Sequence, residues 1–188
     1  MRLLLSFCMA LLAMTSCHRH DQNPVLLPLP QEVSWAKGTF HGCEVNLCGE
    51  SSVTEIVRDW LDESEVACSE SSSKIIEAVL VERIDQAVIN QDEAYKLSVS
   101  PKSIRIEAVT ERGVYWAVQT LRQLSSETKR GMRLPCCEII DWPAFRIRGF
   151  LHDTGRSFIE PEELKKEIAL LSRYKINTFH WHLTENQA

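Results

Sequence analysis

The chain is 188 residues long, 44% hydrophobic and 25% charged, with a net charge of −5. That leaves room for one domain, or a small domain and part of another, of ordinary globular composition. No run of Lys and Arg reaches five residues, so the electrostatic footprint of a nucleic-acid binder is missing.

The chain begins "MRLLLSFCMALLAMTSC": a basic Arg2, an apolar stretch from Leu3 to Ala13, and small residues before a cysteine. This is the layout of a secretory signal. The apolar part is too short to span a bilayer, which takes ~20 residues. "MTSC" is similar to a bacterial lipobox, with Met14 where Leu is usual, and makes Cys17 the candidate for lipidation. An ordinary signal peptide with a chance cysteine is the alternative. Residues 1–17 are thus expected to be a leader of lipoprotein type and residues 18–24, "HRHDQNP", a tether. Of seven cysteines, Cys43, Cys48, Cys68, Cys136 and Cys137 lie beyond the leader. An odd number argues against a disulfide framework, and no CxxC pair suggests zinc, so free or buried thiols are expected.

"VLLPLPQEVSWAKGTF" reads as extended, with a turn at Lys37-Gly38 between Trp35 and Phe40. "SSVTEIVRDWLDES" places Val53, Ile56, Val57, Trp60 and Leu61 on one helical face, capped by Ser51 or Ser52. "KIIEAVLVERI" reads as a strand. "YKLSVSPKSIRIEAVT" is a hairpin about Pro101-Lys102, with Leu97 and Val99 alternating on one arm and Ile104 and Ile106 on the other. "ERGVYWAVQTLRQLS" returns to helical period through Val114, Ala117, Val118, Leu121 and Leu124. "RLPCCEII" is a last strand, on which Cys136 and Cys137 point to opposite faces. Residues 25–141 are therefore expected to be a small α+β domain, a mainly antiparallel sheet with helices on one side. They hold no cluster of titratable groups that reads as a site.

"DWPAFRIRG" marks a boundary, since Pro143 breaks the strand before it. A strand, "IRGFLHD", and a loop, "TGRSFIEP", lead into a helix, "PEELKKEIALLSRYK", with Pro161 in its first turn. Glu160, Glu162 and Glu163 at its start and Arg173 and Lys175 at its end complement the helix dipole. Leu164, Ile168 and Leu171 form its inward stripe. A second strand, "INTFHWHLT", completes a βαβ unit with two parallel strands.

In parallel β/α folds the chemistry gathers where strands run into loops. Two such places, "HDTGRSF" and "HLTENQ", fall at the same edge of the sheet. Arg156 and Glu185 can line one pocket there, a fork of donors opposite two acceptor oxygens, which suits sugar hydroxyls. The alternative is a bridge from Arg156 to Asp153 or Glu185 that merely fixes the loop. His180 and His182 share one strand face, ~7 Å apart, with Trp181 on the other. An H-x-H at a strand end binds metal in metal-dependent amidohydrolases. The alternative is two neutral histidines hydrogen-bonded in the interior.

"RGFLHDTGRSF", the helix and "KINTFHWHLTENQ" together resemble the opening of the catalytic barrel of glycoside hydrolase family 20, the β-N-acetylhexosaminidases. Upstream, "PLPQEV", "YKLSVSPKSIRIEA", "GVYWAVQTLRQL" and "EIIDWPAFRIRG" resemble the family's small N-terminal domain. The resemblance implies that residues 142–188 are the first βαβ unit of a (β/α)8 TIM barrel, truncated here, that follows the small domain. It implies release of terminal β-linked N-acetylglucosamine or N-acetylgalactosamine from a glycan, with no cofactor and no metal. The hydrolysis would be substrate-assisted. The acetamide oxygen attacks the anomeric carbon, an Asp orients the acetamide, and an adjacent Glu protonates the leaving oxygen.

Arg156 matches the family arginine that holds sugar hydroxyls. Glu185 falls at the first of two acidic positions after the H-W-H-L-T strand, where Asp is commoner, and Asn186 takes the second. The Asp-Glu pair belongs beyond the second strand, past Ala188. The chain is therefore expected to be an N-terminal fragment, inactive alone, from an exported bacterial protein, periplasmic or anchored to the outer membrane by a lipid at Cys17. Two other readings are a metal-dependent hydrolase using His180 and His182, and a small domain that serves as a non-catalytic binding module.

Overall fold

The computed structural model describes residues 23–128 and 131–184. The leader, Cys17, Glu185 and Asn186 lie outside the described residues. The chain enters through β1 (Glu32–Gly42), β2 (Glu44–Gly49), α1 (Ser51–Glu63), β3 (Ala67–Cys68) and β4 (Ile75–Leu80). The hairpin β5 (Tyr95–Val99) and β6 (Ser103–Ala108) follows, then α2 (Glu111–Leu124), β7 (Ser126–Thr128) and β8 (Gly131–Asp141). A second unit comprises β9 (Gly149–Asp153), α3 (Pro161–Arg173) and β10 (Thr178–His182).

The first sheet runs β1-β8-β5-β6-β4-β2-β3, with β7 on β8. The β1, β8, β5 and β6 side is antiparallel, as expected, but β6-β4, β4-β2 and β2-β3 pair in parallel. The sheet is mixed, with antiparallel pairings in the majority and a parallel side that the sequence did not announce. The reason is β2, "EVNLCG", whose apolar residues are too few to announce a strand. With β2 in place, β2-α1-β4 is a crossover that forces parallel neighbours. Both helices pack on the same face and on each other, burying Val53, Val57, Trp60 and Leu61 of α1 and Val114, Ala117, Val118, Leu121 and Leu124 of α2.

Three local expectations change. The Lys37-Gly38 turn is a bulge inside one continuous strand, where the register jumps from Trp35↔Cys137 to Thr39↔Pro135. Pro135 has no N–H to give the ladder, and Gly38 takes φ +112°, a conformation that favours glycine. The α1 cap is Glu50, without a side-chain hydrogen bond, in place of Ser51 or Ser52. β4 stops at Leu80, and the following loop is held by Gln91, whose amide bonds Ile84 and Ala87 backbone. All five described cysteines are free; Cys136 and Cys137 are buried.

β9 and β10 pair in parallel and in register, from Gly149↔Thr178 to Asp153↔His182. Of the expected stripe on α3, Leu164 is buried and Leu171 half-buried, while Ile168 is exposed. Two short strands offer the helix little surface to cover.

The two units meet across a buried polar joint. Asp141, the last residue of β8, accepts hydrogen bonds from Lys175 Nζ at 2.6 Å, Tyr95 Oη at 3.1 Å and the Gln31 backbone N–H at 3.3 Å. Lys175 is 6% exposed and Asp141 7%. Lys175, expected to serve the helix dipole, does not, because α3 ends at Arg173 and Lys175 follows the cap residue Tyr174. Its φ is +61°. The Lys175 N–H bonds Ser172 O and the Ile176 N–H bonds Leu171 O, which is the Schellman pattern with lysine at the position that prefers glycine. Burial lowers the pKa of the ammonium, and Asp141 works against that shift. Burial, then the Asp141 charge, raise the Tyr95 phenol well above its ordinary value. Beside this hub, Arg148 pairs with Glu93 and donates to Lys175 O at 2.6 Å, while Asn177 Nδ2 donates to Glu93 at 3.2 Å.

Candidate functional site

Because β9 and β10 are parallel and in register, both run out at the same edge, Asp153 beside His182. The side chain of Asp153 then turns the chain. Its Oδ1 accepts from the backbone N–H groups of Gly155 at 3.0 Å and Arg156 at 3.3 Å, the local bonding that makes Asp a turn residue. Its Oδ2 takes Arg156 Nε at 2.6 Å and lies 2.5 Å from Nη2. His182 Nδ1 lies 3.5 Å from the same oxygen. The Arg156 hydrogen bond is the largest cause holding the Asp153 carboxyl below the usual carboxylate range, with the guanidinium charge adding to it. The loop is also stitched to β10: Thr154 N–H donates to His182 O at 2.9 Å, and Trp181 Nε1 donates to Thr154 Oγ1 at 2.7 Å.

Arg156 therefore makes the loop-fixing bridge to Asp153 that the sequence left as one of two readings. Its side chain is 75% exposed, so the guanidinium stands toward solvent at the strand edge. The other predicted contact, Glu185, lies outside the described residues. His180 and His182 share a face with Leu151 and Asp153 by register, whereas His152 and Trp181 share the opposite one. On that second face His152 Nδ1 meets Glu167 Oε2 of α3 at 2.6 Å. Among the described residues no group of three or more His, Cys, Asp or Glu is arranged to hold a metal.

The chain contains two Asp-Glu dipeptides, Asp62-Glu63 and Asp92-Glu93, both in the small domain. Glu63 pairs with Arg122, Asp92 with Arg112, and Glu93 with Arg148. Neither stands at the β9–β10 edge. Residues that sequence reasoning missed are Thr154 and Trp181, which hold the loop, and Asp141, Tyr95, Arg148 and Lys175, which seat the strands. Trp181 carried a signal: an aromatic with a polar N–H beside a loop usually finds a partner.

An α/β domain with a mixed sheet, leading into a parallel β-α-β unit with an Asp-x-x-Arg turn at its C-terminal edge, defines a two-part β/α architecture. The model described as "Glycosyl hydrolase family 20, domain 2" matches residues 23–142, and "Glycosyl hydrolase family 20, catalytic domain" matches residues 145–188. The chain belongs to glycosyl hydrolase family 20.

Among its relatives is a beta-hexosaminidase of Porphyromonas gingivalis, 30% identical over 184 residues that cover 90% of this chain and 24% of the relative. A beta-hexosaminidase of Vibrio furnissii is 34% identical, covering 86% of this chain and 26% of the relative. The solved structure of a GH20 exo-β-N-acetylglucosaminidase from Vibrio harveyi, in complex with N-acetylglucosamine, is similar with a TM-score of 0.70 and 33% identity, over 87% of this chain and 26% of that one. A β-N-acetylhexosaminidase from Bacteroides fragilis gives 0.67 and 30%, over 86% and 33%. The chain thus spans about a quarter of the length of these two hexosaminidase relatives.

Proposed function

We propose that this protein is a β-N-acetylhexosaminidase that releases terminal β-linked N-acetylglucosamine or N-acetylgalactosamine from glycans by substrate-assisted hydrolysis. In this reading β9, α3 and β10 open a (β/α)8 barrel, and their C-terminal edge is one wall of the sugar pocket. Arg156 and Glu185 hold sugar hydroxyls. Asp153 takes no part in bond cleavage; it aims Arg156. Protonation of the leaving oxygen falls to a Glu beside an Asp on a later strand.

The observation that carries this reading is the Asp153–Arg156 turn, bound to the end of β10 through Thr154, His182 and Trp181. A guanidinium whose Nε and Nη2 rest on a carboxylate is pre-set in direction before a ligand arrives, which lowers the ordering cost of binding. The β-hexosaminidase relatives and the structure with bound N-acetylglucosamine support the same class of substrate.

The test is Arg156→Lys in a full-length enzyme, assayed on p-nitrophenyl N-acetyl-β-glucosaminide. Lysine keeps the charge but loses the fork. The expected loss in kcat/KM corresponds to about 1.5–3 kcal/mol of charge-assisted hydrogen bonding. Unchanged kinetics with a lowered Tm would assign Arg156 to loop stability alone. For location, we propose export with a lipid on Cys17. Cys17→Ser is expected to move the protein from the membrane fraction to the soluble fraction, and equal membrane retention of both forms would defeat that proposal.

A further inference from the structure

α2 and α3 pack side by side and leave a groove of about 350 Å³ between them. Arg122 and Arg173 both line it. Arg122 of α2 has a side chain only 17% exposed, and its Nη1 meets Glu63, whose own side chain is 54% exposed. Its Nε is buried and has no hydrogen-bond partner among the described residues. Arg173 is exposed at the end of α3, and its backbone carbonyl, not its side chain, is bonded by Gln123 at 2.9 Å. Burial, then the Arg173 charge, push the Arg122 pKa below its ordinary value, with Asp59 acting the other way. Lys165 adds positive field from α3 while its Nζ is held by Glu162 at 2.8 Å. Gln119 also lines the groove; it is 2% exposed, and its Oε1 has no hydrogen-bond partner.

The groove therefore gathers donors from two helices around a like-charge pair; Glu63, mostly in water, lines it, while Asp59 acts on Arg122 and Glu162 holds Lys165. We propose that it binds a tetrahedral oxyanion, a sulfate or phosphate group, held between Arg122 and Arg173. A guanidinium fork matches the oxygen spacing of such an anion and bonds it bidentately. Its negative charge relieves the repulsion that burial of Arg122 otherwise intensifies. The same chemistry arrives either as a free ion or as an ester on a sugar.

The experiment is isothermal titration of the purified chain at constant ionic strength, using inorganic sulfate, inorganic phosphate, N-acetylglucosamine 6-sulfate and plain N-acetylglucosamine. Saturable binding of the oxyanions is expected. Arg173→Gln should weaken it about tenfold or more, roughly one charge-assisted bond pair. Among the described residues Arg173 makes no side-chain bond, so this variant should fold as the parent does. Arg122→Lys, checked for folding by far-UV circular dichroism, keeps the charge and should weaken binding through loss of the fork. A sugar ester that binds more tightly than the free ion places the anion on a glycan, and equal affinity makes it a free-ion site. No saturable heat from either inorganic ion would overturn the proposal, as would full affinity in Arg173→Gln. The outcomes with the inorganic ions and with Arg173→Gln leave the role given to Arg156 untouched.

Discussion

Lys175→Met is the substitution that most directly probes how the βαβ unit is seated. Methionine reproduces the length and volume of the lysine stem, so the change opens no large cavity. It removes the ammonium and leaves Asp141, 7% exposed, as a buried carboxylate with two donors, the Tyr95 hydroxyl at 3.1 Å and the Gln31 N–H at 3.3 Å. Stranding one member of a buried ion pair costs about 3–5 kcal/mol. The two surviving bonds are both long, so they offset only part of this, and a loss of about 3 kcal/mol is expected. Against a typical total of about 5–15 kcal/mol that is a large fraction.

Two comparisons separate charge from packing. Adding Asp141→Asn to Lys175→Met removes the stranded charge and should restore about 1–2 kcal/mol. Lys175→Gly relieves roughly 1 kcal/mol of left-handed backbone strain yet loses the same ammonium, so it should still be less stable than the parent. The assay is urea denaturation at pH 7.5 followed by tryptophan fluorescence, since Trp116 lies under Arg148 in the same joint. If Lys175→Met lies within about 0.5 kcal/mol of the parent, the size of ordinary surface changes, the ion pair contributes nothing and this account of the joint is wrong.

Glu65 follows α1 in the same Schellman arrangement, at φ +53° with its side chain exposed, so Glu65→Gly should raise stability by up to about 1 kcal/mol, read as a higher Tm. Asp153→Asn should lower stability at pH 6, where the Arg156 bridge is intact. Because the folded-state pKa of Asp153 is depressed, that contribution is present above the ordinary carboxylate range and lost as pH falls below it. The gap between parent and variant should therefore close as pH falls through and below the ordinary carboxylate range, and a gap that stays constant in urea melts over that descent would remove the bridge from the argument.

What could be read from the sequence follows the distance between partners. α2 was legible because its five apolar positions are separated by the helical period within a single stretch. The Asp153–Arg156 turn was legible because its partners are three residues apart and end a recognisable strand. The parallel half of the sheet was not, since β2 is six residues of mixed polarity and its neighbour β4 begins 26 positions after the last of them, at Ile75. Nor was the joint, because Lys175 and Asp141 are 34 residues apart, and Lys175 and Tyr95 are 80 apart. In "SRYKIN" a lysine reads as a solvated helix end, and nothing local reveals that a left-handed turn buries it. The same five-residue strands explain why motif residues divide by role. Arg148 and Asn177 precede β9 and β10 and face the joint, whereas Asp153 and His182 close them and face the strand edge. Some 17 Å of strand lies between the two ends, at about 3.3 Å per residue. Substitutions at Arg148 or Asn177 are therefore expected to register first as stability, and those at Arg156 as binding, although all three sit within one contiguous family motif.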